Sequence, residues 1–432
     1  MTCSNCTNSS STSPDLVGWV DENSGRGTLS LVTTCLFTIF LCTWVVIHPR
    51  VDANVRRATQ HKLVLFVKAV LAPEFIAVEA LQEWAQCRRM EEEEANHTAS
   101  PAMPIQAFYI SMLALRYRTV RGGDRVLWPN QYIWLLEQQL VTWAECEASW
   151  GLAEEQIRDK SKADNATKLL ALAQVLWFVA ECIMRPVHRL PLSQLEAMTL
   201  GYIPLFAVTY FFWWAKPKDI RTPSVVDLPP MSAEQWAVFD SMAISNKFDN
   251  EGLPEQITWK SIWYLTPRVF EKEEQDAAAI AVASSGGKSS PSSPSSSSSS
   301  RIPSSLPKQT VLSHWDPLLY RSKLIWPLTC LFGASCGALH LVAWDTVFPT
   351  AMEAWLWRVS AFVSIVSMLV FMHFEKVILR WGGPLTILSL VSPALYLLSR
   401  LVMMVEVFVA LRAEELAIHD TYQVSTYWVH LL

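Results

Sequence analysis

Two short groups of residues carry the chemistry this chain could perform. His340 and Trp344 stand one helical turn apart, with Asp345 next to them. Gln174, Phe178, Glu181 and Arg185 recur at three- and four-residue spacing, which puts them on one face of a helix. If Glu181 faces His340, the two groups enclose an imidazole, two carboxylates and aromatic walls. A carboxyl in an apolar cavity resists ionisation and suits general-acid work. Aromatic faces can steady a cationic intermediate. His340, Asp345 and Glu181 are therefore the candidate catalytic groups, and Trp344, Gln174, Phe178 and Arg185 the candidate substrate contacts. The matching chemistry is protonation of a lipophilic olefin or epoxide, or removal of an acidic proton, as in an isomerase or cyclase.

These residues belong to a wider set of polar groups inside or beside apolar runs, with Glu74, Glu79, Glu353 and Arg358. Ionisable groups within a membrane are costly, so each is a functional candidate by default. The competing reading is structural: such groups pair across a helix bundle or extend to its edge. No HExxH, GxSxG, phosphate loop or dinucleotide fingerprint occurs in the sequence, and there are no paired histidine clusters. No metal or cofactor is expected on this basis.

Composition points to a membrane. Hydrophobic residues make up 51% of the 432 and charged residues only 17%, against about a quarter in soluble domains. The 20 tryptophans suit membrane interfaces and packed bundles. Net charge is -5 with scattered lysines and arginines, which excludes a basic nucleic-acid face. Nine cysteines form no scaffold. Cys3 and Cys6 make a lone CxxC able to form a disulfide in an oxidising compartment, whereas Cys35, Cys42, Cys182, Cys330 and Cys336 sit in apolar segments and read as small core hydrophobes.

The expected fold is all-α, a polytopic transmembrane bundle of six or seven spans. Residues 1–28 form a polar tail, and 29–48 form a first span and uncleaved signal-anchor, long enough at about 1.5 Å per residue to cross a bilayer core. Residues 62–81 are apolar but hold Lys68, Pro73, Glu74 and Glu79, so they read as a span or as an interfacial or re-entrant helix. Their length favours a span, which would give seven. A mixed amphipathic region covers 82–167, with a packed helix at 105–115 and an amphipathic helix at 128–150. Two spans follow within 168–214, the second kinked at Pro204. Residues 215–322 form a hydrophilic insertion whose Ser-rich part, 284–305, has the composition of a disordered linker. Three spans lie within 323–405, before a tail at 406–432.

Arg50, Arg56, Arg57 and Lys62 follow the first span, while the preceding tail holds Asp15, Asp21, Glu22 and one Arg26. The positive-inside rule then puts the N-terminus in the lumen or outside the cell. The sequons at Asn5 and Asn8 fit that side as glycosylation sites.

Certain residues recur together as a pattern: Gly18-Trp19, Arg26-Gly27-Thr28, Leu41-Cys42-Thr43-Trp44 and His48-Pro49, then Ala72-Pro73-Glu74, Asp159-Lys160-Ser161-Lys162 and Trp213-Trp214, and later Phe348-Pro349-Thr350 and Leu356-Trp357-Arg358. In this arrangement the chain resembles a family of fungal multi-pass membrane proteins that mostly lack an assigned function. The resemblance implies a polytopic membrane protein from a filamentous or mushroom-forming fungus and no transferable catalytic mechanism; the expected location is the endomembrane system or plasma membrane. One departure stands at Gln106-Ala107-Phe108-Tyr109, where relatives tend to carry a histidine.

Three function classes follow. The protein handles a lipophilic small molecule in a metabolic pathway, with acid–base isomerisation or cyclisation as the catalytic form. Alternatively it is a transporter that uses Pro73, Pro204, Pro327 and Pro393 as breaks, or a receptor-like scaffold with a regulatory Ser-rich loop. The bilayer is the one certain partner, and no nucleic acid is expected.

Overall fold

The computed structural model describes residues 16–22, 26–51, 54–95, 103–119, 123–161, 165–241, 324–381 and 386–421. Asn5, Asn8, Cys3, Cys6 and the Ser-rich stretch 284–305 lie outside these residues.

Among the described residues, six helices are long and apolar enough to cross a membrane. They are α1 (Thr28–Val46), α8 (Asn165–Val187), α9 (Gln194–Phe212), α11 (Ile325–His340, continued by a 3-10 segment, Leu341–Asp345), α12 (Ala351–Trp381) and α13 (Thr386–Ala410). The fold is thus a largely α-helical, polytopic membrane bundle. Wide strips of α8, α12 and α13 present Leu, Ile, Val and Phe outward, including Leu170, Leu176, Phe362 and Leu398. Apolar faces of this extent suit lipid rather than water.

Side-chain contacts fix the helix directions. Arg26, just before α1, bonds Glu196 in the first turn of α9, and Lys218, just after α9, donates to Val45 O near the end of α1 at 2.8 Å. These two helices run parallel. Opposite them runs α8, from Gln174 beside Thr38 to Arg185 beside the carbonyls of Ala417 and Ile418. Phe332 of α11 meets Phe212, while Val347 past its end accepts from Gln194. Both chain tails reach one face of the bundle, where β1 (Leu16–Val17) pairs antiparallel with β5 (Glu414–Glu415). We call this the terminal face and the other the loop face.

Residues 62–81 do not form a single span. They divide at Ala72 between α2 (Val55–Leu71) and α3 (Pro73–Ala95). Pro73 has no N–H to continue the first helix and a fixed φ that suits the start of the second. Lys68 and Glu79 pair at 2.6 Å. Eleven residues of straight helix would separate them by about 16 Å along the axis, so the chain doubles back at Ala72. Lys62 binds Asp219 on the loop face at 2.8 Å, and Lys216 binds Glu83 on the same face at 2.5 Å. Between those ends, Tyr202 donates to Val70 O at 2.5 Å, and Tyr202 lies midway along α9. The α2–α3 pair therefore starts at the loop face, turns at mid-depth and returns. Charge explains why this apolar stretch does not cross: Lys62 binds at the loop face, and Lys68 and Glu79 pair between the two arms.

A folded layer caps the loop face. It contains α4 (Pro104–Ser111), β2 (Leu115–Arg118), β3 (Asp124–Val126), α5 (Pro129–Glu137), α6 (Trp143–Ser149), α7 (Glu154–Lys160), β4 (Ser224–Val226) and α10 (Ala233–Ser241). The small sheet has the order β3-β2-β4, with β2 antiparallel to β3 and parallel to β4. The amphipathic stretch 128–150 is two helices, α5 and α6, because Gln139 adopts a positive φ of 54° that ends the first. Lys160 donates to Ser224 at 2.6 Å and Ser161 accepts from the backbone N–H of Lys218 at 3.0 Å, so the Asp-Lys-Ser-Lys motif ties this layer to the end of α9. Gln106, in the departure from the family pattern, donates to Leu152 O at 2.8 Å and caps its own helix.

Candidate functional site: a buried polar cluster at the hairpin tip

The tip of the α2–α3 hairpin meets α9, α11 and α13 in a polar cluster deep in the bundle. Arg400 of α13 is its hub and is 0% exposed. Its Nε donates to Leu71 O at 3.1 Å, Nη1 to His340 Nε2 at 3.0 Å and Nη2 to the Tyr202 hydroxyl at 3.0 Å. The guanidinium lies 5.5 Å from the Tyr202 ring centroid. Leu71 O is available because the proline at 73 and the turn at Ala72 interrupt the helical ladder there. Glu74, in the first turn of α3, is also fully buried. It accepts a hydrogen bond from Tyr396, one turn before Arg400 on α13, and it interacts electrostatically with Arg400. A guanidinium, a carboxyl group, two phenols and an imidazole thus converge where the membrane's apolar interior would be. Such groups persist at that depth when they pair with each other and with backbone carbonyls.

His340 is completely buried, and both ring nitrogens are engaged. Nδ1–H donates to Cys336 O at 2.5 Å, which leaves Nε2 as the acceptor for Arg400. This hydrogen-bond pattern belongs to the neutral tautomer. Gly201 of α9 makes room for the ring, since a Cβ there would stand 3.0 Å from His340 Cε1. Trp357 donates to His340 O at 3.1 Å and holds α12 against the same turn.

The remaining candidates lie elsewhere. Trp344 is not stacked one α-turn above His340, because residues 341–345 are 3-10 and change the register. It is exposed at the terminal face, under the Arg358 guanidinium at 4.7 Å, and its carbonyl accepts from Arg358 at 2.7 Å. Asp345 closes the 3-10 segment, and its side chain is outside the described part. Gln174, Phe178, Glu181 and Arg185 do share a face of α8, but that face looks toward α1 and the terminal face. Gln174 donates to Thr38 at 3.3 Å, and Phe178 is buried in the core around α1 and α9. Glu181 is half-buried and shares a field with Arg26 and Arg185. Arg185 donates to the carbonyls of Pro191, Ala417, Ile418 and Asp420. Glu181 therefore belongs to the terminal face and His340 to the mid-depth cluster, and the two are not brought together.

Around Arg185 the terminal face forms a second charged group. Arg26 meets Glu196 at 2.5 Å. Burial works to lower the Arg26 pKa, but the Glu196 carboxylate outweighs it and holds the value above the ordinary one. His419 Nδ1 and Arg26 O are 2.9 Å apart, and Arg26 N donates to His419 O at 3.2 Å. Glu414 has its pKa raised to about 7 by burial and by the Glu196 charge, against the opposing pull of Arg26 and Arg185. On the loop-face layer, burial likewise raises Glu94 to about 7, opposed by the hydrogen bond from Tyr132 at 2.7 Å.

Arg400, Tyr202 and Tyr396 escape a reading based on the edges of apolar runs. The available signal is Arg400 itself, the one basic residue of a mostly apolar helix whose other ionisable group is Glu406. Among the described residues no group of three or more His, Cys, Asp or Glu side chains could hold a metal ion.

Six candidate spans, a doubled-back hairpin and a buried ionic cluster at its tip define a multi-pass integral membrane protein. The chain belongs to a family described as a family of unknown function (DUF8562), whose model matches residues 3–103 and 149–286. That match covers α1, the whole hairpin, α8 and α9. No curated protein and no solved structure matches the chain.

Proposed function

We propose that this protein is a transporter of a small lipophilic solute bearing an anionic group, with the α2–α3 hairpin as its working element. The observation that carries the proposal is Arg400 held at mid-depth by the broken-helix carbonyl of Leu71, by His340 and by Tyr202, within the field of Glu74. Discontinuous helices whose freed backbone groups and ionic side chains meet at mid-membrane suit substrate and proton sites. In this reading a proton taken up by Glu74 frees Arg400 for the solute's anionic group, and loss of the proton restores the pair. With six spans both tails share one side. The basic residues Arg56, Arg57, Lys62, Lys216 and Lys218 all gather at the loop face, which supports a cytosolic loop face and a lumenal or extracellular terminal face. The family resemblance supports a fungal endomembrane or plasma membrane.

Cys336 lies beside the cluster and is fully buried, which gives a test that needs no known substrate. In a variant keeping Cys336 as its sole cysteine, a membrane-impermeant thiol reagent should label the native protein in sealed vesicles, because the site must open to water in one state. Labelling only after denaturation would refute transport through this site. An acid–base enzyme acting on a lipophilic substrate is the second reading. It assigns proton transfer to Glu74 and Tyr396, since both His340 nitrogens are occupied, and product formation in a proteoliposome assay separates it from flux.

A further inference from the structure

At the terminal face a half-open cleft of about 270 Å³ lies between the α8–α9 turn, the 3-10 segment and the C-terminal strand. That volume is at the lower end for small-molecule sites, enough for a head group and the first part of a chain. Its walls are apolar, formed by Pro186, Leu190, Pro191, Val342, Val347 and Ile418. Three polar side chains also line it: Gln194, Thr346 and Glu415. Gln194 is 1% exposed. Its Nε2 donates to Val347 O at 2.5 Å, and its Oε1 is buried without a hydrogen-bond partner. Thr346 has already given its hydroxyl proton to Ala343 O at 2.8 Å. Glu415 contributes a carboxylate. All three therefore offer acceptors, and the one side-chain proton left among them is the second N–H of Gln194. A buried acceptor without a donor is costly, and a ligand proton removes that cost.

Val187 and Val342 flank the cleft and are exposed on the outer surface, so it opens at the level where the apolar belt ends. Trp344 stands beside it, as aromatic residues do at membrane interfaces. Arg185 makes the floor rigid by holding the carbonyls of Pro191 and Ile418.

We infer that this cleft binds the head of a single-chain amphiphile bearing a protonated amine, with the amine toward Gln194 and Glu415 and the alkyl chain passing Val187 into the lipid. This site is separate from the Arg400 cluster, and its occupancy does not depend on the transport reading.

The test uses the full chain in nanodiscs with a diazirine-bearing dodecylamine as photoprobe. Adducts should map to residues 186–197 or 341–347. Dodecylamine should compete about tenfold better than dodecanol or dodecanoate, as expected for a charge-assisted hydrogen bond. Glu415→Gln changes a partly exposed side chain and should leave folding intact while lowering labelling about tenfold. Gln194→Leu should lower labelling by amine and alcohol alike. Equal competition by all three amphiphiles, or labelling that survives Glu415→Gln unchanged, overturns the inference.

Discussion

Replacing Arg400 with methionine is the most searching perturbation of the bundle. Methionine roughly fills the same space but removes every polar contact. Three donated hydrogen bonds disappear, to Leu71 O, His340 and Tyr202. In membrane proteins such bonds average about 0.6 kcal/mol, so together they account for about 2 kcal/mol. The other effect is on Glu74, which is left buried without its countercharge. Arg400 and Glu74 interact through space rather than in contact, so the loss lies below that of breaking a contacting buried ion pair, about 3–5 kcal/mol. It is comparable with the lost hydrogen bonds, and a second substitution should relieve it. Glu74→Gln keeps an acceptor for Tyr396 and removes the charge. The Arg400→Met/Glu74→Gln double variant should regain about 2 kcal/mol relative to Arg400→Met, leaving mainly the lost hydrogen bonds. The measurement is a double-mutant cycle on unfolding midpoints in mixed micelles at fixed pH. If the four variants prove additive within about 0.5 kcal/mol, Glu74 and Arg400 are not an energetic pair and the picture of the hairpin tip is wrong.

Four further outcomes are expected. Gln in place of Glu414 should flatten part of the pH dependence of stability. The Glu414 pKa is raised to about 7 in the folded protein, so its contribution is full below about 4.5 and lost as pH climbs through 7, worth about 3 kcal/mol; melting temperatures of the two proteins should converge toward pH 5 and separate toward pH 8, where the wild type alone loses stability. At Gly337 a Cβ would stand 2.6 Å from Ile365 Cγ1 and 3.0 Å from Ala361 O, so Gly337→Ala should cost about 1–3 kcal/mol by prising α11 from α12. Gly333→Ala should cost less, because its close neighbour is the flexible end of Met372; equal melting shifts for the two would count against this packing. For topology, endoglycosidase should shift the mobility of the wild type but not of an Asn5→Gln/Asn8→Gln variant, and a sequon tag at residue 290 should stay unmodified.

Much of the bundle was legible because long apolar runs with basic ends leave few alternatives. The segment 29–48 is a span for that reason, and the helix Thr28–Val46 occupies it. Hydropathy alone misjudges residues 62–81. It scores their apolar content but not the pairing of Lys68 with Glu79, which requires the chain to fold back. The candidate site shows the same limit. A shared face on α8 follows from helical spacing, yet spacing within one helix cannot say which other helix it faces. Neither Arg400 meeting a carbonyl 329 residues away nor Arg26 meeting Glu196 across 170 leaves a local trace. His340 and Trp344 looked adjacent on the assumption of continuous α-geometry, and the 3-10 segment removed that premise.

The pairing of the two tails bears on how the protein is made. Arg26 and Arg185 are translated before the carbonyls of Ala417, Ile418 and Asp420 and the partner strand at 414–415, with the last four spans made in between. Until then the Arg185 guanidinium lacks most of its acceptors, and residues 16–17 have no strand to join. Closure of the terminal face therefore requires that residues 414–420 return to the side of residues 16–26, which the failure of any one span to cross would prevent.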